Sequence, residues 1–204
     1  MKSFSKLKRW AAAGVLLGVS ALAAAQRTGS AYAANEKWFI TGAVGVHGYV
    51  GDADKDRTFG DRISVGAEVG AGKWFTPLIG ARLMVGGMHA NGNRVEGSGE
   101  SWNFVHIHAD ALLDLNTLLK GADEERVYSC IPLMGIGMAV APYDGTRSTV
   151  AFSLGILNRI RLAEQLDLNI EAKGTIVGDK LDGEVTGSRG EGSAALTVGL
   201  AYTF

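Results

Sequence analysis

From Trp38 to Phe204 apolar residues alternate with polar or small ones at a spacing of two, in eight segments of about strand length separated by polar, glycine-bearing connections. A period of two is the mark of extended strands whose two faces meet different surroundings. The segments fall at residues 38–49, 62–75, 78–88, 102–113, 127–141, 149–161, 167–177 and 193–204. In the first, Ile40, Val44 and Val46 oppose Thr41, Gly45 and His47, and in the second Ile63, Val65, Ala67 and Val69 oppose Ser64, Gly66, Glu68 and Gly70. In the third, Ile79, Ala81, Leu83 and Val85 oppose Gly80, Arg82 and Gly86, and in the fourth Val105, Ile107, Ala109 and Ala111 oppose His106, His108 and Asp110. The fifth carries Pro132, is apolar on both faces and has no evident register. In the sixth, Val150, Phe152, Leu154 and Ile156 oppose Ser153, Gly155, Arg159 and Arg161. In the seventh, Leu168, Ile170, Ala172 and Ile176 oppose Asn169, Glu171, Lys173 and Thr175. The last sets Leu196, Val198, Leu200, Tyr202 and Phe204 against Thr197, Gly199, Ala201 and Thr203. The polar stretch 114–126 has room for one helical turn.

A soluble β-sandwich would show the same alternation, so the contents of the two faces decide. The polar face holds Glu68, Arg82, Asp110, Arg159, Glu171 and Lys173 among glycines and small residues, as a narrow lumen filled by side chains requires. The apolar face is almost free of charge in mid-strand, as lipid contact requires. Aromatic residues gather near the strand ends: Trp38, Phe39, Trp74, Phe75, Tyr128, Tyr202 and Phe204 near one set, Tyr49, Trp102, Phe104, Tyr143 and Phe152 near the other. Two such girdles mark the two interfaces of an outer-membrane barrel. The expected fold is all-β, an eight-stranded antiparallel up-and-down transmembrane β-barrel with both termini in the periplasm. The short links at Thr76-Pro77 and 162–166 then face the periplasm. The glycine-rich links 50–61, 89–101 and 178–192, and the shorter 142–148, face outward.

The N-terminus reads as a secretory signal. Lys2, Lys6, Lys8 and Arg9 precede an apolar run, Trp10 to Ala25, too short for a membrane-spanning helix. Cleavage after Ala25 is favoured, with Ala33 as the alternative, which leaves residues 35–204 for the barrel. Loss of the four cations takes the net charge from −1 to about −5, and an acidic exported chain is not one held to nucleic acid by phosphate contacts. Cys130 is the single cysteine, so neither an internal disulfide nor a cysteine metal cluster is expected.

Two stretches carry a family resemblance. Gly72-Lys73-Trp74-Phe75-Thr76-Pro77 followed by Ile79-Gly80-Ala81-Arg82 is one; His108-Ala109-Asp110, a loop, Glu125-Arg126-Val127-Tyr128-Ser129 and Ile131-Pro132 is the other. Together they resemble the OmpA-like outer-membrane barrels common in Bacteroidetes, and the resemblance covers nearly the whole mature chain. The pattern Leu196-x-Val198-x-Leu200-x-Tyr202-x-Phe204 resembles the terminal signal by which such proteins are recognised for assembly. That implies the barrel-assembly machinery as a partner, beside outer-membrane lipid and an extracellular ligand at the outer loops. The chain ends on that strand, so the family's peptidoglycan-binding domain, and with it a cell-wall tether, is not expected.

The candidate site is a polar network inside the barrel: Glu68, Arg82, His106, His108, Asp110, Arg159, Arg161, Asp167, Glu171 and Lys173. Charges in a narrow lumen must be paired. Across the short turn Glu68 and Arg82 are expected as diagonal neighbours, Arg161 is expected to face Asp167, and Arg159 to lie near Glu171. His106, His108 and Asp110 share one face, but successive same-face residues on a strand lie about 7 Å apart, wide for one metal ion, and no metal is expected. No serine accompanies the histidines as a nucleophile, and residues 66–73 miss the spacing of a phosphate-binding loop. The expectation is a non-enzymatic outer-membrane protein without cofactor, whose plugged barrel serves envelope integrity or presents its outer loops. A narrow pore or small-ligand channel and a lipid-modifying outer-membrane enzyme are the alternatives.

Overall fold

The computed structural model describes residues 37–50, 63–93, 99–141, 147–177 and 191–204. The two cleavage sites, the N-terminal signal and most of the expected outer loops lie outside the described residues. Eight strands follow one another: β1 (Lys37–Val50), β2 (Ile63–Trp74), β3 (Ile79–Asn93), β4 (Gly99–Leu113), β5 (Tyr128–Ala141), β6 (Arg147–Ala163), β7 (Leu166–Val177) and β8 (Glu191–Thr203). One short helix, α1 (Leu115–Lys120), lies between β4 and β5. Each strand pairs antiparallel with its sequence neighbours, and β1 pairs with β8 from Phe39↔Thr203 to Val50↔Gly192, closing the barrel. Closure leaves no strand at an open edge of the sheet, the condition for strands in hydrocarbon.

The alternation decides what faces where. Ile40, Val44, Val65, Val69, Leu83, Ile107, Phe152, Leu154, Leu196 and Leu200 are exposed on the outer wall, while Thr41, His47, Glu68, Arg82, His108, Asp110, Glu171 and Lys173 are buried in the lumen. The molecule is thus apolar outside and charged inside. The ambiguous fifth strand takes its register from its neighbours, Leu133 opposite Leu112 and Met134 opposite Leu154. Its inward residues are Ser129, Ile131, Leu133 and Ala139.

Two expectations need correction here. The β3–β4 hairpin is longer than the apolar alternation suggests, with pairing continuing to Asn93↔Gly99, so most of the expected loop 89–101 is strand. Backbone pairing does not need an apolar face once a strand has left the lipid. Phe39 and Trp74 are also not members of the lipid-facing girdle. Phe39 is 6% exposed and packs inside with Leu112, Ile131, Leu133 and Leu157, and Trp74 closes over this cluster. The physical reason is parity: Phe39 shares the lumen face with Thr41, and Trp74 with Gly72. A side chain on Gly72 would strike the Phe39 ring at 2.3 Å, so the glycine makes room for the phenyl group. Trp38, Phe75, Tyr128, Tyr202 and Phe204 do face outward at the end of the barrel that holds both strand termini. Phe152 is exposed on the outer wall toward the other end. The side chains of Tyr49, Trp102, Phe104 and Tyr143 are outside the described residues.

Candidate functional site: the lumen network

The lumen side chains converge because glycines and small residues on facing strands leave them space. A Cβ at Gly135 would lie 2.1 Å from Asp110 Oδ1, and one at Gly86 would lie 2.9 Å from Glu68 Cγ. In the room so made, Arg82 on β3 donates from Nε to Asp110 Oδ2 at 2.8 Å and from Nη2 to Glu171 Oε2 at 2.7 Å. Lys173 on β7 donates to both carboxylate oxygens of Glu68 at 2.9 Å and stands 3.5 Å from Glu171 Oε1. His108 joins the two halves, with Nδ1 at 2.7 Å from Asp110 Oδ1 and Nε2 at 3.3 Å from Lys173 Nζ. An ammonium group only donates, so Nε2 is placed to accept from Lys173 and Nδ1–H to donate to Asp110, and both ring nitrogens are engaged. The His106 ring stacks on His108 at 4.4 Å between centroids.

Strands β2, β3, β4 and β7 therefore reach across the lumen and interlock. The layer divides two small cavities of about 20 Å³ each, each comparable to the site of a single water. One, toward the loop end, is lined by His47, Glu68, His106, Lys173 and Thr175. The other lies between Arg82 and the apolar cluster of Phe39, Trp74, Leu112 and Leu157. Below it Arg159 is held by Asp114 Oδ2 at 3.0 Å and Ser129 Oγ at 3.2 Å, with its guanidinium 5.0 Å from the Trp74 ring centre.

The expected pairings are partly redrawn. Glu68 and Arg82 do not meet, because Glu68 lies opposite Gly86 while Arg82 lies opposite Gly72. That offset of four residues is about 13 Å along the strand. Arg159 pairs with Asp114 rather than Glu171, which lies opposite Leu157. Arg161 does stand opposite Asp167 in the β6–β7 register, and its guanidinium donates to the Glu124 carbonyl. Asp114, Ser129 and the apolar plug were absent from the sequence-based set. Asp114 read as loop, and its role follows only from the helix it caps. Among the described residues, no three histidine, cysteine or carboxylate side chains are grouped so as to hold a metal ion.

No family model matches the chain. It is 29% identical over 153 residues to outer membrane protein 40 of Porphyromonas gingivalis, an alignment covering 69% of this chain and 40% of the relative. Outer membrane protein 41 of the same organism is 26% identical over 149 residues, covering 69% and 38%. The chain thus spans about 40% of the length of these curated relatives. Among solved structures, Neisserial surface protein A superposes with a TM-score of 0.60 at 10% identity, over 82% of this chain and 97% of that one. A major outer membrane protein from Thermus thermophilus superposes with a TM-score of 0.53 at 15% identity, over 83% and 100%. At such identities these likenesses speak for the fold, and the curated relatives speak for the compartment. The chain is an outer-membrane β-barrel protein. In an outer-membrane barrel short turns face the periplasm and long loops the exterior. The short turns 75–78 and 164–165, with both strand termini, accordingly mark the periplasmic end, which the 114–127 link shares, and the cavity beside His47 lies toward the opposite end.

Proposed function

We propose that this outer-membrane barrel is closed and non-enzymatic, and that it acts as a stable wall element displaying its outer loops rather than as a conduit. The interlocked layer of Arg82, Asp110, Glu171, Lys173 and Glu68 carries this reading. Opposite charges from four strands fill the cross-section, and the two cavities on either side of the layer among the described residues are small, about 20 Å³ each. An ion crossing the barrel would have to displace at least one buried ion pair, and removing one partner from a buried pair costs about 3–5 kcal/mol. The apolar plug around Phe39 adds a second obstruction on the periplasmic side. Both ring nitrogens of His108 are engaged within the layer, which argues in the same direction against its acting as a general base, since a base needs a free lone pair facing substrate.

The test is planar-bilayer conductance of the refolded protein, with Glu68→Ala and Arg82→Ala alongside. A closed barrel gives no discrete steps in the wild type. Steps in the wild type that change size or frequency in either variant would mean a narrow pore and would overturn this reading. Outer-membrane lipid, the barrel-assembly machinery and an extracellular ligand at the outer loops are the partners this proposal entails.

A further inference from the structure

The β4–β5 connection sits in a gap in the barrel wall. The β4–β5 ladder ends at Leu112↔Leu133, whereas β5 runs on to Tyr128, still paired there with Ile160 of β6. Residues 128–132 of β5 therefore have no strand partner on their β4 side among the described residues. Two residues whose amides face that side show how the gap is accommodated. Cys130 donates its N–H to Asn116 Oδ1 of α1 at 2.8 Å, and Pro132, two residues on, has no N–H to satisfy. Helix α1 stands where β4 would have continued.

The polarity of α1 is inverted. Two of its three polar residues face protein, Asn116 taking the β5 amide and the Thr117 hydroxyl accepting from Arg126 at 3.1 Å, while Lys120 in the last turn is exposed. Its apolar residues Leu115, Leu118 and Leu119 follow the i, i+3, i+4 spacing of one helical stripe; Leu115 is half-buried, Leu118 and Leu119 are exposed, and no residue of the helix is buried. Leu118 is 48% and Leu119 78% exposed, and the surface continues into Val127 at 60% and Tyr128 at 46%. Apolar-out and polar-in is the rule of the membrane-spanning wall, and here it persists in a helix beyond the strand.

We infer that α1, with Val127 and Tyr128, is a lipid-seated anchor that lays its leucines into the phospholipid leaflet at the periplasmic face of the outer membrane. The occupant is lipid because the stripe is continuous with the barrel's lipid-facing surface and fills a gap in that wall. Three leucines, a valine and a tyrosine also fall short of the roughly 800 Å² per partner of a stable protein interface.

A nitroxide at Leu119→Cys, in a Cys130→Ser background and refolded into phosphatidylethanolamine–phosphatidylglycerol vesicles, tests the inference. Collision with oxygen and with a water-soluble nickel complex is compared with labels at Leu200→Cys on the lipid wall and Asp123→Cys in the following turn. A lipid-seated helix gives the Leu119 label at least threefold less nickel collision than the Asp123 label, with oxygen collision close to that of Leu200. Nickel collision equal to Asp123 would place the helix in water and overturn the inference. Low collision with both reagents would mean a protein or second copy covers it, and would overturn it equally. Leu118→Cys repeats the reading should the Leu119 variant fail to refold.

Discussion

Lys173 is the residue on which the two halves of the lumen network depend. Its ammonium group stands 2.9 Å from both oxygens of Glu68 and 3.5 Å from Glu171, while its fourth neighbour, His108 Nε2, accepts at 3.3 Å. Lys173→Met keeps the length of the side chain and removes the cation, leaving Glu68 buried without its counter-charge. The expected loss is about 3–5 kcal/mol of stability, the usual result of removing one member of a buried pair. The double variant Glu68→Gln/Lys173→Met should recover at least half of it, because no uncompensated charge then remains. Urea titration of the refolded proteins in vesicles measures both, and a single variant as stable as the wild type would show that the lumen charges are not coupled as their distances indicate.

At the scale of elements, α1 is held less by its own propensity than by its ends. Six residues are too few for an independent helix. Asp114 supplies the N-cap, its Oδ1 accepting from Thr117 N at 2.9 Å, and its other oxygen receives Arg159 from inside the barrel at 3.0 Å. Gly121 ends the helix at a φ of 82°, a left-handed conformation that suits glycine. Asp114→Ala should therefore act twice, releasing the cap at a cost of about 0.5–2 kcal/mol and freeing Arg159 beneath the Trp74 ring. Asp114→Asn, which keeps the cap acceptor but not the charge, should recover part of the loss in the same urea titration. Equal losses for the two variants would assign the whole effect to the Arg159 pair. Strand β5 shows what sequence could and could not tell at this scale. Pro132 and the apolar residues on both faces hid its register, which the ladders to β4 and β6 settle. Proline is tolerated because it falls where the β4 ladder has already stopped.

For the whole molecule, closure joins β1 to β8, and the Phe204 amide donates to the Trp38 carbonyl at 3.0 Å across that seam. The Phe204 ring contacts Tyr202 edge-on at 5.7 Å and is otherwise exposed on the outer wall. It contributes little packing to the finished barrel. Phe204→Ala should refold in vitro like the wild type yet reach the outer membrane in several-fold lower amount, measured by fractionation of cells expressing each protein. Equal yields would separate the C-terminal pattern from assembly.

The alternation by itself determined the strand count and, outside β5, which side of the wall each residue takes, because parity is a local property of an extended chain. It even held the lumen positions of Phe39 and Trp74, which share parity with Thr41 and Gly72; reading aromatic residues near strand ends as a girdle obscured this. Only the tertiary structure decided which lumen charges meet. Glu68 finds Lys173 across 105 residues, and Arg82 finds Glu171 across 89. Those partners depend on the stagger and tilt with which all the strands close together. That geometry is collective, and no single strand's sequence contains it.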